Sequence, residues 1–459
     1  MDIQDRGPAP YLRAEDGVLL TAPEAERLVD QLQPFDVDDV GSMAWLQQHD
    51  VLEKLNIQAH HNALAHADEF VMAALVSYDK LALLVHELLV IEVWKDQVYP
   101  LIAAELAQGG GSINVYLVLH HEATLANLLE VALFHREACE AAGEDALLEL
   151  ADFCHRKMVY LHAEGRQDAS FKERSAAELL ALSPAQELQD KAAAIRFGVA
   201  LCCLTLLRYL TDYLPHLPLC VMARLLTTHD CLMTLVPLLL SPPWQRRRVH
   251  HGSKLVEGYV DGRWQAIPPA DRAKLQQPDA QAWLAVTNLL VEPGCRAKYR
   301  FDDFRRDVVL KLKPRLTPAL HDQLPVLRDL HRVLEELTLM QTPATDDMRA
   351  SRLILEQVPE MRERLLRRTD WAILGRAQLG TVFRDTPETR ADTQSRMADM
   401  LAMFEFEEML EAPKCASCGS DAAQRCSSCK SDWYCGRDCQ LNCWPTHKEL
   451  CGVLVKGAK

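Results

Sequence analysis

A chain of 459 residues with a formal charge of −15 is long for one compact core and too acidic for a general nucleic-acid binder. Apolar residues make up 49% and charged residues 25%, the balance of a soluble globular protein. Leu and Ala dominate and aromatics are only 6%, so the bias is towards helix and two or three folded units.

In chain order, residues 1–40 are acidic and contain proline, and read as a loosely held segment. The opening Met1-Asp2-Ile3 has no basic-then-apolar signal pattern. A helical body follows over 41–341. Its amphipathic segments fall at roughly 80–106, 121–140, 143–163, 218–240, 279–291 and 316–340 by apolar spacing. The clearest helix runs from Ser183 to Tyr213. Ser183 caps it, Pro184 suits the first turn, and Gln186 completes a capping box. Without a strict period, the pattern predicts a mostly α fold, an irregular armadillo- or HEAT-like helical array. Further helices and linkers are expected over 342–412, at roughly 355–379 and 388–411.

One break is readable. Lys254–Val260 and Arg263–Ile267 flank Asp261-Gly262, a two-residue turn, and predict a small β-hairpin insertion. The preceding Arg246-Arg247-Arg248 run is expected as a solvated loop, with partner docking as the sharper reading. The polar stretches Glu164–Ser175, Thr342–Arg352 and Asp385–Gln394 read as loops. The best membrane candidate, Cys231–Trp244, is broken by Pro237, Pro242 and Pro243 and too short to span a bilayer. No membrane span is expected.

Several chemistry-bearing fragments lack their partners. His86-Glu87 and His121-Glu122 start like a zincin, but neither has a second His four residues after the first. Gly109–Ser112 lacks the Lys-Ser/Thr of a phosphate loop. His60, His61 and His66 have no helical-turn spacing for a metal. The body cysteines Cys139, Cys154, Cys202, Cys203, Cys220, Cys231 and Cys295 read as core thiols. No catalytic constellation emerges, so the chain is not expected to be an enzyme.

The tail is different. Cys415-x2-Cys418, Cys426-x2-Cys429, Cys435-x3-Cys439 and His447-x3-Cys451 are four ligand pairs in series, the number two tetrahedral zinc ions require. So short a segment cannot bury enough apolar surface to fold unaided. Structural zinc contributes on the order of 10–16 kcal/mol in small fingers, enough to define it. With every position filled by protein, the ions would be structural rather than catalytic. From Pro413 to Lys459 the formal charge is +3, from five Lys and two Arg against three Asp and one Glu. Eight ligands with seven thiolates cancel that excess, which argues further against nucleic acid. Cys443 is left over and is expected as a surface thiol that is not a ligand.

This spacing, with Trp433-Tyr434-Cys435 and with Gln440, Trp444 and His447 following Cys439, resembles the MYND-type zinc finger, placed at 413–453. The resemblance implies interleaved pairing: Cys415, Cys418, Cys435 and Cys439 for the first zinc, Cys426, Cys429, His447 and Cys451 for the second. It also implies capture of proline-containing peptides in a groove at Ser427, Gln440 and Trp444. An indole face suits a proline ring, and the amide and hydroxyl suit an extended backbone.

The body adds further matches: Trp45-x-Gln47-Gln48-His49, His120-His121-Glu122-Ala123, Cys154-His155-Arg156-Lys157, Leu207-Arg208-Tyr209-Leu210 and Asp322-Gln323-Leu324-Pro325. Together with one C-terminal finger they resemble a family of cytoplasmic factors for preassembly of axonemal dynein arms in motile cilia. The resemblance implies a non-catalytic adaptor or cochaperone-like factor. Its implied partners are a leucine-rich-repeat dynein assembly factor, heat-shock chaperones with cochaperones, and axonemal dynein chains. Its implied location is cytoplasmic, near the centrosome, centriolar satellites and ciliary base. A transcriptional corepressor adaptor is the alternative. A SET-type methyltransferase is disfavoured because no Asn-His dipeptide is present.

Overall fold

The computed structural model describes residues 19–108, 113–163, 165, 182–250, 253–260, 262–340, 357–384 and 386. In the finger it describes 415–418, 420, 422, 424–429 and 432–457. The expected elements at Gly109–Ser112, Thr342–Arg352 and 388–411, and most of Glu164–Ser175, lie outside the described residues. Two compact units result, a body over Ala22–Thr389 and a second unit of Met1–Thr21 with Arg390–Lys459.

The body is helical, as expected. Its first part comprises α1 (Ala22–Asp30), α2 (Met43–Leu64), α3 (Phe70–Ser77), α4 (Leu81–Gln97), α5 (Tyr99–Gln108), α6 (Ile113–Leu133), α7 (Arg136–Ala141), α8 (Glu144–Ala163) and α9 (Pro184–Asp212). α9 starts as the capping box dictates: Ser183 Oγ accepts from the Gln186 amide, and the Ser183 amide donates to Gln186 Oε1, both at 3.3 Å. It is long and apolar enough to cross a bilayer. Instead it packs against α5, α6 and α8, burying Phe197, Leu204, Leu206, Leu207 and Leu210. At about 1.5–3 kcal/mol per buried apolar side chain, this stripe organises the core.

Past α9 come α10 (Leu219–Ala223), a π-helical turn (Arg224–Thr228), α11 (Cys231–Leu240) and strands β1 (Gln245–His250), β2 (Ser253–Val260) and β3 (Arg263–Ala266). Then follow α12 (Gln277–Val291), α13 (Pro293–Lys298), α14 (Asp303–Leu310), α15 (Pro318–Gln323), α16 (Leu327–Leu339), α17 (Met361–Leu366) and α18 (Trp371–Gly380). α12 covers a further face of α9. Several segments expected as single helices are broken. The 80–106 segment divides at Val98, because Pro100 has no amide to continue the ladder and suits a first turn. The 218–240 segment divides at Asp230, which is left-handed at φ +46°. That strained residue is pinned: its carboxylate accepts from the Tyr299 hydroxyl and from Arg305 Nε, each at 2.6 Å.

The hairpin is present and larger than expected, a three-stranded antiparallel meander in the order β1-β2-β3. Gly262 turns at φ +72°. The basic run is not a loop. Arg246 and Arg247 lie in β1, with Arg247 paired to Val256 across the ladder. Arg246 bonds Glu257 at 2.6 Å and lies 4.2 Å over the Trp264 ring, so cross-strand partners turn a charged run into a strand. At Gly258 the Gln276 amide packs over the backbone, and a Cβ there, 1.8 Å from Gln276 Nε2, would require that side chain to shift.

The expectation of a loose N-terminus concerned residues 1–40. Residues 1–18 lie outside the described residues, whereas Ala22–Val40 pack on the body. Lys80 Nζ donates to the carbonyls of Asp30 and Leu32. Glu87 Oε1 accepts from the Phe35 amide at 2.7 Å and His86 Nε2 lies 3.0 Å from the Phe35 carbonyl. That accounts for the His86-Glu87 dipeptide without a metal. Burial pushes the Glu87 carboxyl up to about 8. His121 is likewise a core residue, its Nδ1 2.9 Å from His49 Nδ1, with burial lowering it to about 3.

Beside His121, Glu122 belongs to a buried ion network that sequence reading did not find. Its oxygens each lie 2.5 Å from an ammonium, Lys95 of α4 and Lys157 of α8. Glu92 receives Arg156, at 2.5 Å, and Arg362 of α17, at 3.0 Å. Arg362 thus ties α17 to helices some 270 residues earlier. Gln378 of α18 does the same. Its Oε1 accepts from Trp94 Nε1 at 2.9 Å, and its Nε2 donates towards the carbonyls of Val37 and Val40. Gly41 and Gly375 permit this approach: a Cβ would meet Val382 at 2.6 Å and Ile102 at 2.7 Å respectively.

Candidate metal centre

The finger is built on two knuckles, a two-stranded ladder and one helix. β4 (Gln424–Arg425) pairs with β5 (Trp433–Tyr434), and α19 (Arg437–Gly457) follows. The Cys415 amide donates to the Ser420 carbonyl at 2.7 Å and the Cys426 amide to the Asp432 carbonyl at 2.8 Å, closing both knuckles. Between them lies a small core of Ala422 and Tyr434 with the buried cysteines, against which Trp433 packs.

Two groups of four ligand atoms form, Cys415, Cys418, Cys435 and Cys439 in one, and Cys426, Cys429, His447 and Cys451 in the other. Within each, all ligand atoms lie within 4.8 Å of one another. Zinc bonds of about 2.3 Å to sulfur and 2.0–2.1 Å to nitrogen imply tetrahedral edges of roughly 3.5–3.8 Å. The observed edges bracket that range: Cys418–Cys435 3.5 Å, Cys435–Cys439 3.4 Å, Cys426–Cys451 4.0 Å, Cys429–His447 Nε2 3.6 Å and Cys426–His447 Nε2 3.3 Å. The donor set therefore fits two structural zinc ions, cross-braced as the resemblance implied. Spacing alone left this pairing open.

The ligand thiols divide: Cys415, Cys418 and Cys426 are lowered, whereas contact with neighbouring thiols raises Cys435, and burial with neighbouring thiols raises Cys451. Burial opposes ionisation of Cys415, yet the amides of Cys435, Ser417 and Cys418 bring it down to about 6. Cys426 reaches about 6 in the same way, with the amides of Cys429 and Ser428 and the His447 ring outweighing burial. Thiolate is the form that binds zinc. Asp432, which sequence reading missed, places its carboxylate 2.6 Å from His447 Nδ1, off the axis of a full hydrogen bond. A carboxylate behind a ligating imidazole keeps the proton on Nδ1 and aims Nε2 at the metal. The only sequence signal was an acid just before Trp433-Tyr434.

Cys439, Cys443, His447 and Cys451 recur every four residues along α19 and so share a face. Cys443 falls between ligands of the two groups but joins neither. It is half-buried against the finger core rather than a surface thiol, and it helps raise the neighbouring Tyr434 hydroxyl above its usual range, behind burial as the main cause. Gln440 and Trp444, one turn apart on α19, lie on the adjacent strip of the helix. Trp444 is 39% exposed and Leu441 60%, while Ser427 is exposed in the second knuckle. Trp444 lies 5.9 Å from the His447 ring, so the ligand anchors the indole's position while leaving part of it open.

A closed double-metal finger of this geometry is a MYND finger, and residues 415–451 match that family's model. The chain is thus a largely helical protein with a C-terminal MYND finger, features that suit a protein-interaction adaptor. Over 448 residues it is 29% identical to the zinc finger MYND domain-containing protein 10 homolog of Drosophila melanogaster, covering 92% of this chain and 96% of that protein. The resemblance read from the scattered body motifs therefore extends through nearly the whole chain. No solved structure matches it.

Proposed function

We propose that the protein is a cytoplasmic adaptor in preassembly of axonemal dynein arms for motile cilia, working near the centrosome, centriolar satellites and ciliary base. In this reading the helical body meets dynein chains, heat-shock chaperones and their cochaperones. The finger recruits a leucine-rich-repeat assembly factor through an extended, proline-containing segment. The observation that carries the adaptor role is the division of labour on α19. One face supplies zinc ligands, and the next strip leaves Leu441 and Trp444 exposed to a partner, with Gln440 half-buried beside them. The near full-length similarity to the fly protein supports extending the family's role to this chain.

Affinity capture from multiciliated cells tests it, comparing the full chain with Trp444→Ala and Gln440→Ala. Partial loss of captured proteins, with zinc content unchanged, is expected. Retention of every partner by both variants removes the finger groove from the proposal. A predominantly nuclear pool of the protein removes the cytoplasmic assembly role.

A further inference from the structure

A basic-rimmed cleft lies on the body. It opens between the β-meander and α11, α12 and α15, with a volume of about 950 Å³, at the upper end of the range for ligand sites. Its rim carries Arg247 of β1, Arg272 and Lys274 of the β3–α12 connection, and Arg315 before α15. All four are exposed. Lys274 pairs with Asp271 at 2.8 Å, and Arg315 spends one N–H on the Leu240 carbonyl at 3.2 Å. Arg247 and Arg272 have no carboxylate partner among the described residues.

Charge on the cleft is not cancelled from within. Asp279 is its one lining acid, and its oxygens are taken by Trp244 Nε1 at 2.9 Å and Gln245 Nε2 at 3.0 Å. Between the cations the wall is apolar, with Pro243, Val256, Ile267 and Trp283. A chain of net charge −15 has gathered cations around an apolar trough. β1 is also an edge strand, and among the described residues no strand pairs with its outer side.

We propose that this cleft binds an extended acidic protein segment with apolar residues at alternate positions. Carboxylates would meet Arg247, Arg272 and Arg315, and apolar side chains would enter the trough. The backbone would add to the free edge of β1, where period-two alternation separates the two kinds of contact. Nucleic acid suits it less, because the one aromatic ring named in the wall, Trp283, is only 5% exposed and offers little face for base stacking. The proposal deepens the adaptor reading but does not depend on the finger groove.

The test is fluorescence anisotropy with zinc-loaded full-length protein and a short labelled peptide of alternating Glu and Leu. Expected are saturable binding, none by a Lys/Leu peptide of equal length, and weakening with salt. The double variant Arg247→Glu/Arg272→Glu should weaken binding at least about tenfold, as for loss of close charge pairs. Both positions are exposed, and an unchanged thermal transition verifies folding. Trp444→Ala should leave this binding unaltered, whatever it does to partner capture. Equal affinity in the double variant, no binding at all, or tighter binding of an oligonucleotide than of the peptide each overturns the proposal.

Discussion

Glu122→Gln is the sharpest test of the buried ion network. The change is nearly isosteric and removes one charge from a side chain that is 1% exposed. Lys157 keeps a second carboxylate, Glu92, at 3.7 Å. Lys95 does not: among the described residues its remaining partner is the Leu119 carbonyl at 3.3 Å. The penalty therefore falls on one buried ammonium, whose proton affinity burial already lowers. Removing one partner of a buried pair costs about 3–5 kcal/mol. With an unfolding entropy of about 2.1 cal/mol/K per residue over Ala22–Thr389, that lowers Tm by roughly 4–7 °C. Thermal circular dichroism at neutral pH measures it, and Lys95→Met placed on top of Glu122→Gln should restore part of the loss. A Tm within about 1 °C of wild type, or no recovery in the double variant, would falsify the assignment of cost to Lys95.

Two further outcomes follow from the geometry. Burial raises Glu87 from an ordinary value near 4.5 to about 8, so the folded state holds a proton that the unfolded state releases; stability declines as pH rises from 4.5 towards 8. Glu87→Gln keeps the acceptor for the Phe35 amide and should flatten that part of the Tm–pH curve, whereas parallel curves for variant and wild type refute the burial argument. Asp432→Asn removes the carboxylate behind His447 and should weaken zinc binding about 10–100-fold in a chelator competition. Unchanged zinc affinity there denies Asp432 its positioning role.

Local chemistry was legible in the sequence because it depends on residues close together. Ser183, Pro184 and Gln186 specify the start of α9 through bonds spanning three residues. Cys–x2–Cys knuckles specify ligands for the same reason. Asp261-Gly262 marked a hairpin, but the third strand was hidden: a run of three arginines becomes β1 only once Glu257 and Trp264 stand opposite. Pro100 was a visible reason to break the 80–106 segment, whereas the break at Asp230 rests on Tyr299 and Arg305, some seventy residues away.

By itself, then, the sequence determined a helical, acidic chain ending in eight zinc ligands, since periodicity and knuckle spacing are properties of short stretches. Tertiary structure decided which ligands share an ion, because α19 carries Cys439 to the first knuckle and His447 and Cys451 to the second. It also decided that Glu122 is a buried counter-ion rather than half of a hydrolase motif, and that Gln378 closes α18 onto Trp94 and Val37. A carboxylate or amide acquires these roles only when folding removes water and brings distant partners within 3 Å or so, where an unmet charge or hydrogen bond is too costly to leave.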